Sequence, residues 1–194
     1  VRGLTGISTR RRMELMPYTV QANDSRLRAD GYGRSQRMSL GADLKYGLSS
    51  NLTLDATINP DFGQVEADPA VVNLSAFESF FAERRPFFTE GFDVFRFRLS
   101  DGDGDGANEE LFYTRRIGRR PQGWADPRGG FAESVDRTTI LGAGKLAGKT
   151  RNGWTVGVLT ALTAEESAGV VDSIGSWHRD IVEPRTGYGV ARVA

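Results

Sequence analysis

The sequence predicts a mainly β fold, an antiparallel sheet with one short helix in its central segment. Three observations lead there. Apolar and polar residues alternate with period two over long stretches. No stretch approaches the ~18 consecutive apolar residues of a membrane-spanning helix, whereas barrel strands need only ~9–11 residues and alternate in polarity. The 194 residues include 24 glycines, which weaken helices and suit turns, bulges and sheet contacts. Alternation by itself fits a soluble antiparallel sheet, apolar toward its core and polar toward water, as well as it fits a barrel wall. A longer motif in the middle of the chain separates the two.

The clearest alternation runs over residues 38–58. Met38, Leu40, Ala42, Leu44 and Tyr46 share one parity, and Ser39, Gly41, Asp43 and Lys45 the other. After Gly47-Leu48-Ser49-Ser50 the pattern resumes, with Leu52, Leu54, Ala56 and Ile58 opposite in parity to Thr53, Asp55, Thr57 and Asn59. This is a hairpin with one apolar and one polar face. Leu40, Leu44, Leu54 and Ile58 are expected to face lipid, with Leu146 and Val156 of the next hairpin.

That hairpin spans residues 138–163 around Arg151-Asn152-Gly153. A two-residue Asn-Gly turn would pair Lys149 with Val156 and mix polarities on one face. A three-residue loop with Gly153 left-handed, forming a G1 bulge, avoids this. It puts Ile140, Leu146, Trp154, Val156, Val158 and Leu162 on one face, and Lys145, Lys149, Thr155 and Gly157 on the other. Trp154 beside the turn suits an interfacial aromatic position, and a soluble core nearly as well.

Weaker strands are expected at residues 12–21, 111–117 and 187–193. Pro17 marks the first as an edge strand or a bulge, because proline cannot donate to a ladder. The total is about seven, below the ~8 strands at which bacterial barrels close. The chain also starts at Val1 without a signal peptide, so it is expected to be a piece of something longer.

Residues 59–97 break the alternation. Asp68 before Pro69 reads as a helix start, and Val71, Leu74, Phe77, Phe80 and Phe81 follow at helical spacing. A short amphipathic helix over 71–81 is expected, ended by Arg84, Arg85 and Pro86. Its phenylalanine stripe is expected to be packing rather than a ligand site.

The central run reads Asn59-Pro60-Asp61-Phe62-Gly63-Gln64-Val65-Glu66-Ala67-Asp68-Pro69, then Val71-Val72-Asn73-Leu74, Phe77-Glu78 and Arg84-Arg85-Pro86-Phe87-Phe88, ending in Glu90-Gly91. With Leu111 through Arg119 and Gly142-Ala143-Gly144-Lys145-Leu146, it closely resembles the DUF5916 family, whose function is uncharacterised. The resemblance covers most of the chain. It implies a signal peptide, then a carbohydrate-binding family 9-like sandwich, then a large outer-membrane barrel of which residues 1–194 are the first part. On that basis the chain is a single partial domain, with the sugar-binding domain upstream of Val1. Outer-membrane lipid is the expected partner, glycans a further one, and the bacterial outer membrane the location. Asn59, Pro60, Asp61, Gln64, Glu66, Asp68, Pro69, Asn73, Glu78, Arg84, Arg85, Pro86, Phe87, Phe88, Glu90 and Gly91 are then structural motif residues. Glu66, Asp68, Glu78, Arg84 and Arg85 are expected to form ion pairs inside the barrel.

Chemistry is sparse. Asp101-Gly102-Asp103-Gly104-Asp105-Gly106 carries the one-three-five acid spacing of a calcium loop, with Glu109 at position nine. Position twelve is Phe112, where a bidentate glutamate belongs. The segment therefore reads either as a solvated acidic loop or as a weak calcium site, and calorimetry with millimolar calcium distinguishes them. The one histidine, His178, falls beside Asp180 in a stretch that reads as loop, with no nucleophile placed for a triad. Glu66, Asp68, Glu78, Glu83 and Glu90 are plentiful carboxylates without a defined separation across a cleft. No catalytic residue is expected in this chain. The 25 basic and 25 acidic side chains balance, so nucleic acid is not an expected partner, and the absence of cysteine excludes disulfides and thiolate metal sites. Three readings follow: a membrane barrel involved in glycan binding or uptake, a carbohydrate-active protein working through a domain outside this chain, and a soluble β scaffold.

Overall fold

The computed structural model of the chain describes residues 12–28, 31–60, 82–95 and 112–194. Among these are nine strands: β1 (Met13–Arg28), β2 (Gly31–Gly47), β3 (Leu52–Ile58), β4 (Phe131–Ala132), β5 (Ile140–Lys149), β6 (Thr155–Thr163), β7 (Glu166–Val171), β8 (Trp177–Glu183) and β9 (Thr186–Val193). Six of them form one antiparallel sheet in the order β1-β2-β3-β5-β6-β9, and β4-β7-β8 form a second. Among the described residues the six-stranded sheet does not close on itself.

Both hairpins take the register that their apolar parity requires. Leu44 lies opposite Ala56 and Tyr46 opposite Leu54 in one, Leu146 opposite Val158 in the other. The loop between β5 and β6 is the bulged one: Thr150 N donates to Trp154 O at 2.8 Å and Gly153 N to Thr150 O at 3.1 Å. Gly153 is left-handed, with φ 88°, a conformation that glycine takes without steric cost. Pro17 sits on β1, an edge strand among the described residues, opposite Ala42.

Cross-strand neighbours therefore share faces over the whole sheet. One face, from Met38 to Tyr46 on β2 and across the residues opposite on β1, β3, β5, β6 and β9, carries no charged side chain. The described residues leave it uncovered: Leu40 is 68% and Ile58 67% exposed. The other face is covered over β5, β6 and β9 by residues 82–95 and 112–118. Phe88, Phe95 and Ile117 pack there against Ile140, Ala147, Leu159 and Ala161. At ~25 cal/mol per Å2 of apolar surface removed from water, each of the two phenylalanines contributes ~1.5–3 kcal/mol to holding this layer on the sheet. Gly157 on β6 lets it approach, because a Cβ at that position would lie 2.6 Å from Val94 Cγ1 and 3.0 Å from the Phe95 ring. Gly157→Val is expected to destabilise the fold by ~1–3 kcal/mol through overpacking, read as a lower urea midpoint of the refolded full-length protein.

The ends of the sheet differ. Residues 48–51 and 150–154 make short turns between β2 and β3 and between β5 and β6, and Met13 and Val193 lie at that same end. The connections from β3 to β5 and from β6 to β9 leave from the opposite end, and the second carries the β7–β8 hairpin. Its turn is closed by Asp172, whose carboxylate accepts from the backbone of Ile174 and Ser176 at 3.1 and 2.8 Å.

Four sequence expectations are corrected. Residues 111–117 were expected as a strand. Thr114–Arg116 instead form a 3-10 turn, because side-chain bonds to Thr114 and Ile117 replace the ladder that a strand would need. Among the described residues the strand total is nine rather than about seven: β4 is only two residues long, and β7 and β8 contain Glu166, Ser167, His178 and Asp180, polar residues that interrupt the apolar parity. His178 accordingly lies on β8 and not in a loop. Ile140 sits on the covered face with Lys145, because a register shift between Ile140 and Gly142 flips its side. The helix over 71–81 lies outside the described residues, and Pro86, expected to end it, opens the one-turn helix α1 (Pro86–Thr89).

Candidate functional site

The covered face carries a row of charges laid across adjacent strands. Glu14 on β1 lies opposite Lys45 on β2, Lys45 opposite Asp55 on β3, and Asp55 opposite Lys145 on β5. The signs alternate at every step, and directly opposed side chains in an antiparallel pair stand ~4.5–5.5 Å apart at Cβ. Period two alone puts them on one face, since all four belong to the polar parity of strands whose other parity is apolar.

Residues 82–95 reach down onto this row. Glu90 forms an ion pair with Lys45. The Lys145 ammonium, 2% exposed, donates to the carbonyls of Phe87 and Glu90 at 2.6 Å each and stands 3.2 Å from Asp55 Oδ2. It also lies 5.0 Å from the centroid of the Phe87 ring. An ammonium has three donors, and all three have oxygen partners here, which is what allows a cation to remain buried. Gly91 completes the bend with φ 65°, and a Cβ there would touch Ala147 Cβ at 3.4 Å.

A second cluster fixes the start of the same segment. Arg85 grips Glu83 in the two-pronged geometry of a guanidinium on a carboxylate, Nε to Oε1 at 2.8 Å and Nη2 to Oε2 at 2.7 Å. Its remaining donors reach the carbonyls of Ile117 at 2.6 Å and Thr114 at 2.9 Å. The Thr114 hydroxyl donates to Glu83 Oε2 at 2.6 Å, and the guanidinium stacks 4.2 Å from the Phe88 ring centroid. Burial opposes ionisation of Glu83, but the bonds and charge of Arg85 and the Thr114 hydroxyl outweigh it and hold the carboxyl below its ordinary range.

That depression has a pH consequence. A carboxyl with a lowered folded-state pKa adds stability above its unfolded pKa, and that stability is lost as pH falls through the folded value. Melting temperature is therefore expected to drop between neutral pH and the acid range, and Glu83→Gln to flatten part of that drop. Parallel melting curves for the two proteins at every pH would remove Glu83 from the account.

Motif residues from the sequence stand in this arrangement as follows. Arg85, Phe87, Phe88, Glu90 and Gly91 converge on the covered face, and Pro86 opens the turn that lets Phe87 and Phe88 meet edge to face at 5.0 Å. Asn59 ends β3 with φ 47°. Its backbone N–H donates to Leu141 O at 2.9 Å and its side-chain amide to Leu40 O at 2.7 Å. Pro60 follows it, and Arg84 is exposed. Asp61, Gln64, Glu66, Asp68, Pro69, Asn73 and Glu78 lie outside the described residues, as do Asp101, Asp103, Asp105 and Glu109 of the calcium-like loop. Of the expected ion-pair set, Arg85 takes Glu83 as a carboxylate partner.

Glu83, Lys45, Asp55 and Lys145 were not singled out from the sequence as a cluster. Parity identified Lys145 as facing away from the apolar band, but not what would lie over it. His178 Nε2 stands 3.6 Å from Asp180 Oδ1, and no hydroxyl of the described residues hydrogen-bonds to that nitrogen. Among the described residues no group of three or more His, Asp or Glu is arranged to hold a metal ion. No helix among them is long and apolar enough to cross a membrane, which bears on helices alone.

The family described as a domain of unknown function, DUF5916, matches residues 9–193. No curated protein and no solved structure matches the chain.

Proposed function

The chain belongs to the DUF5916 family, and from that premise we propose that it forms part of the wall of an outer-membrane β-barrel, with its uncharged face toward lipid and its charged face toward the lumen. One observation carries this reading: six adjacent strands present an uncharged apolar band that the described residues leave uncovered, while their charges are turned to the opposite face, where Lys145 is buried under the chain's own residues. A soluble sheet of this kind would cover its apolar face and leave the charged one to water. Here the arrangement is reversed, as it is in proteins whose outer solvent is hydrocarbon.

The band has a fitting height. Met38 to Tyr46 on β2 spans eight residue steps, ~26 Å along the strand at ~3.3 Å each, and less along the membrane normal once the strand tilts by ~35–45°. Tyr46 and Trp154 lie at the short-turn end, where an aromatic girdle belongs. Both turns at one end are short, and two of the three connections at the other are long, the third being residues 29 and 30 between the extended strands β1 and β2; this asymmetry supports a periplasmic short-turn end and an external end that carries the β4-β7-β8 sheet. Glycan recognition, which the resemblance implies for a sandwich domain upstream, is not proposed for this wall.

Site-directed spin labels test the reading on the full-length protein in lipid vesicles. Labels at Leu40, Leu44, Leu54 and Val158 are expected to be reached by dissolved oxygen, and not by a water-soluble nickel complex. Equal access of the nickel complex to all four would end the barrel reading.

A further inference from the structure

We propose that residues 82–95, seated on residues 112–118, are a resident plug that fills the lumen beside β2, β5, β6 and β9, so that the resting barrel does not conduct dissolved solutes. The proposal rests on the barrel reading above and goes further: it says what the inside of that barrel does.

Three features distinguish a plug from a mobile loop. The first is the breadth of the attachment. The segment is tied to β2 through Glu90 and Lys45, to β5 through the carbonyls of Phe87 and Glu90 on Lys145, and to β9 through Val94 O on Arg192 Nη1 at 3.0 Å. The layer beneath adds Arg116 O on Tyr188 Oη at 3.3 Å. The second is an apolar core. Phe88 and Phe95, each 1% exposed, share one cluster with Leu159 of β6, whereas segments that open readily have few buried apolar contacts.

The third feature is Lys145. Two of its oxygen partners are backbone carbonyls of the segment itself. Withdrawal would exchange those carbonyls for water and would expose Phe88 and Phe95 along with them. The cost of exposing that apolar cluster favours the seated arrangement, and Lys145 does not oppose it because its three donors stay paired there.

Conductance and cross-linking test the proposal on the full-length protein. Wild-type protein in planar bilayers is expected to show no stepwise ion conductance. Replacing residues 82–118 by a short flexible linker is expected to produce steps. The cysteine pair G91C/A147C provides a test that does not need the deletion variant to fold. The Cβ positions at these two sites lie 3.4 Å apart, next to the ~3.5–4.5 Å of a disulfide, so mild oxidation in the membrane is expected to cross-link most of the population.

Each failure has its own meaning. Porin-like steps from the wild-type protein, a linker variant that inserts and stays closed, or no cross-link in G91C/A147C would each overturn the plug and leave the barrel standing. A full-length protein that never inserts, judged by the absence of a form whose gel mobility changes on boiling, would overturn the barrel reading and the plug with it.

Discussion

Arg85→Ala is expected to destabilise the protein by ~3–5 kcal/mol, the cost of breaking a buried pair by removing one partner. The side chain is buried and serves three oxygen-bearing groups at once, the Glu83 carboxylate and the carbonyls of Thr114 and Ile117. Truncation leaves Glu83, 11% exposed, charged and without its guanidinium partner, and takes a donor from two carbonyls on the turn that carries Ile117 into the core. Arg85→Lys is expected to recover only part of the loss, because an ammonium cannot reproduce the two-pronged grip and the carbonyl bonds together. Urea unfolding of the full-length protein from lipid vesicles measures both variants. A loss under ~1 kcal/mol for Arg85→Ala would mean that water replaces the guanidinium, as it does at exposed pairs.

Leu44→Arg is the second large effect, and it distinguishes membrane from water. Leu44 lies inside the uncharged band, flanked across the strands by Leu15 and Ala56. Arginine on the lipid face costs ~2–4 kcal/mol at the bilayer midplane and ~0–1 kcal/mol near the interface. Leu44→Arg is therefore expected to be much costlier than Leu48→Arg, placed in the short turn at the end of the band. If this face stood in water both would be nearly neutral. The discriminating quantity is the difference between the two substitutions, measured as the fraction inserted into vesicles; equal insertion would refute the lipid-facing assignment.

Both predictions depend on features that the sequence made legible to different degrees. The hairpins were readable because strand parity is local. Leu40, Leu44, Leu54 and Leu146 declare their face within a few residues, and Gly153 declares its turn. The second sheet was not readable. Glu166, Ser167, His178 and Asp180 give β7 and β8 no clean alternation, and these strands hold together through Ala168, Val170 and Val182 packed as a small separate core. The turn at Thr114 was missed for a related reason. Phe112, Thr114 and Arg116 alternate as a strand would, but a guanidinium and a carboxylate about thirty residues earlier in the chain take up the groups that a ladder would have used.

Membership of the motif was visible from Arg85 to Gly91, and the work of each residue was not. Nothing near Lys145 indicates that carbonyls 58 and 55 residues away would cap it. What the sequence by itself determined is which side chains share a face and which face is uncharged, because a period of two is a property of the extended backbone and needs no partner. What only the tertiary structure decided is which face would be covered, and by what. That outcome depends on a distant segment bringing Phe88 and Phe95 to the charged side together with the oxygens that let Lys145 stay buried. Such a match is settled by packing and by hydrogen-bond satisfaction between residues far apart in the chain, which local pattern does not encode.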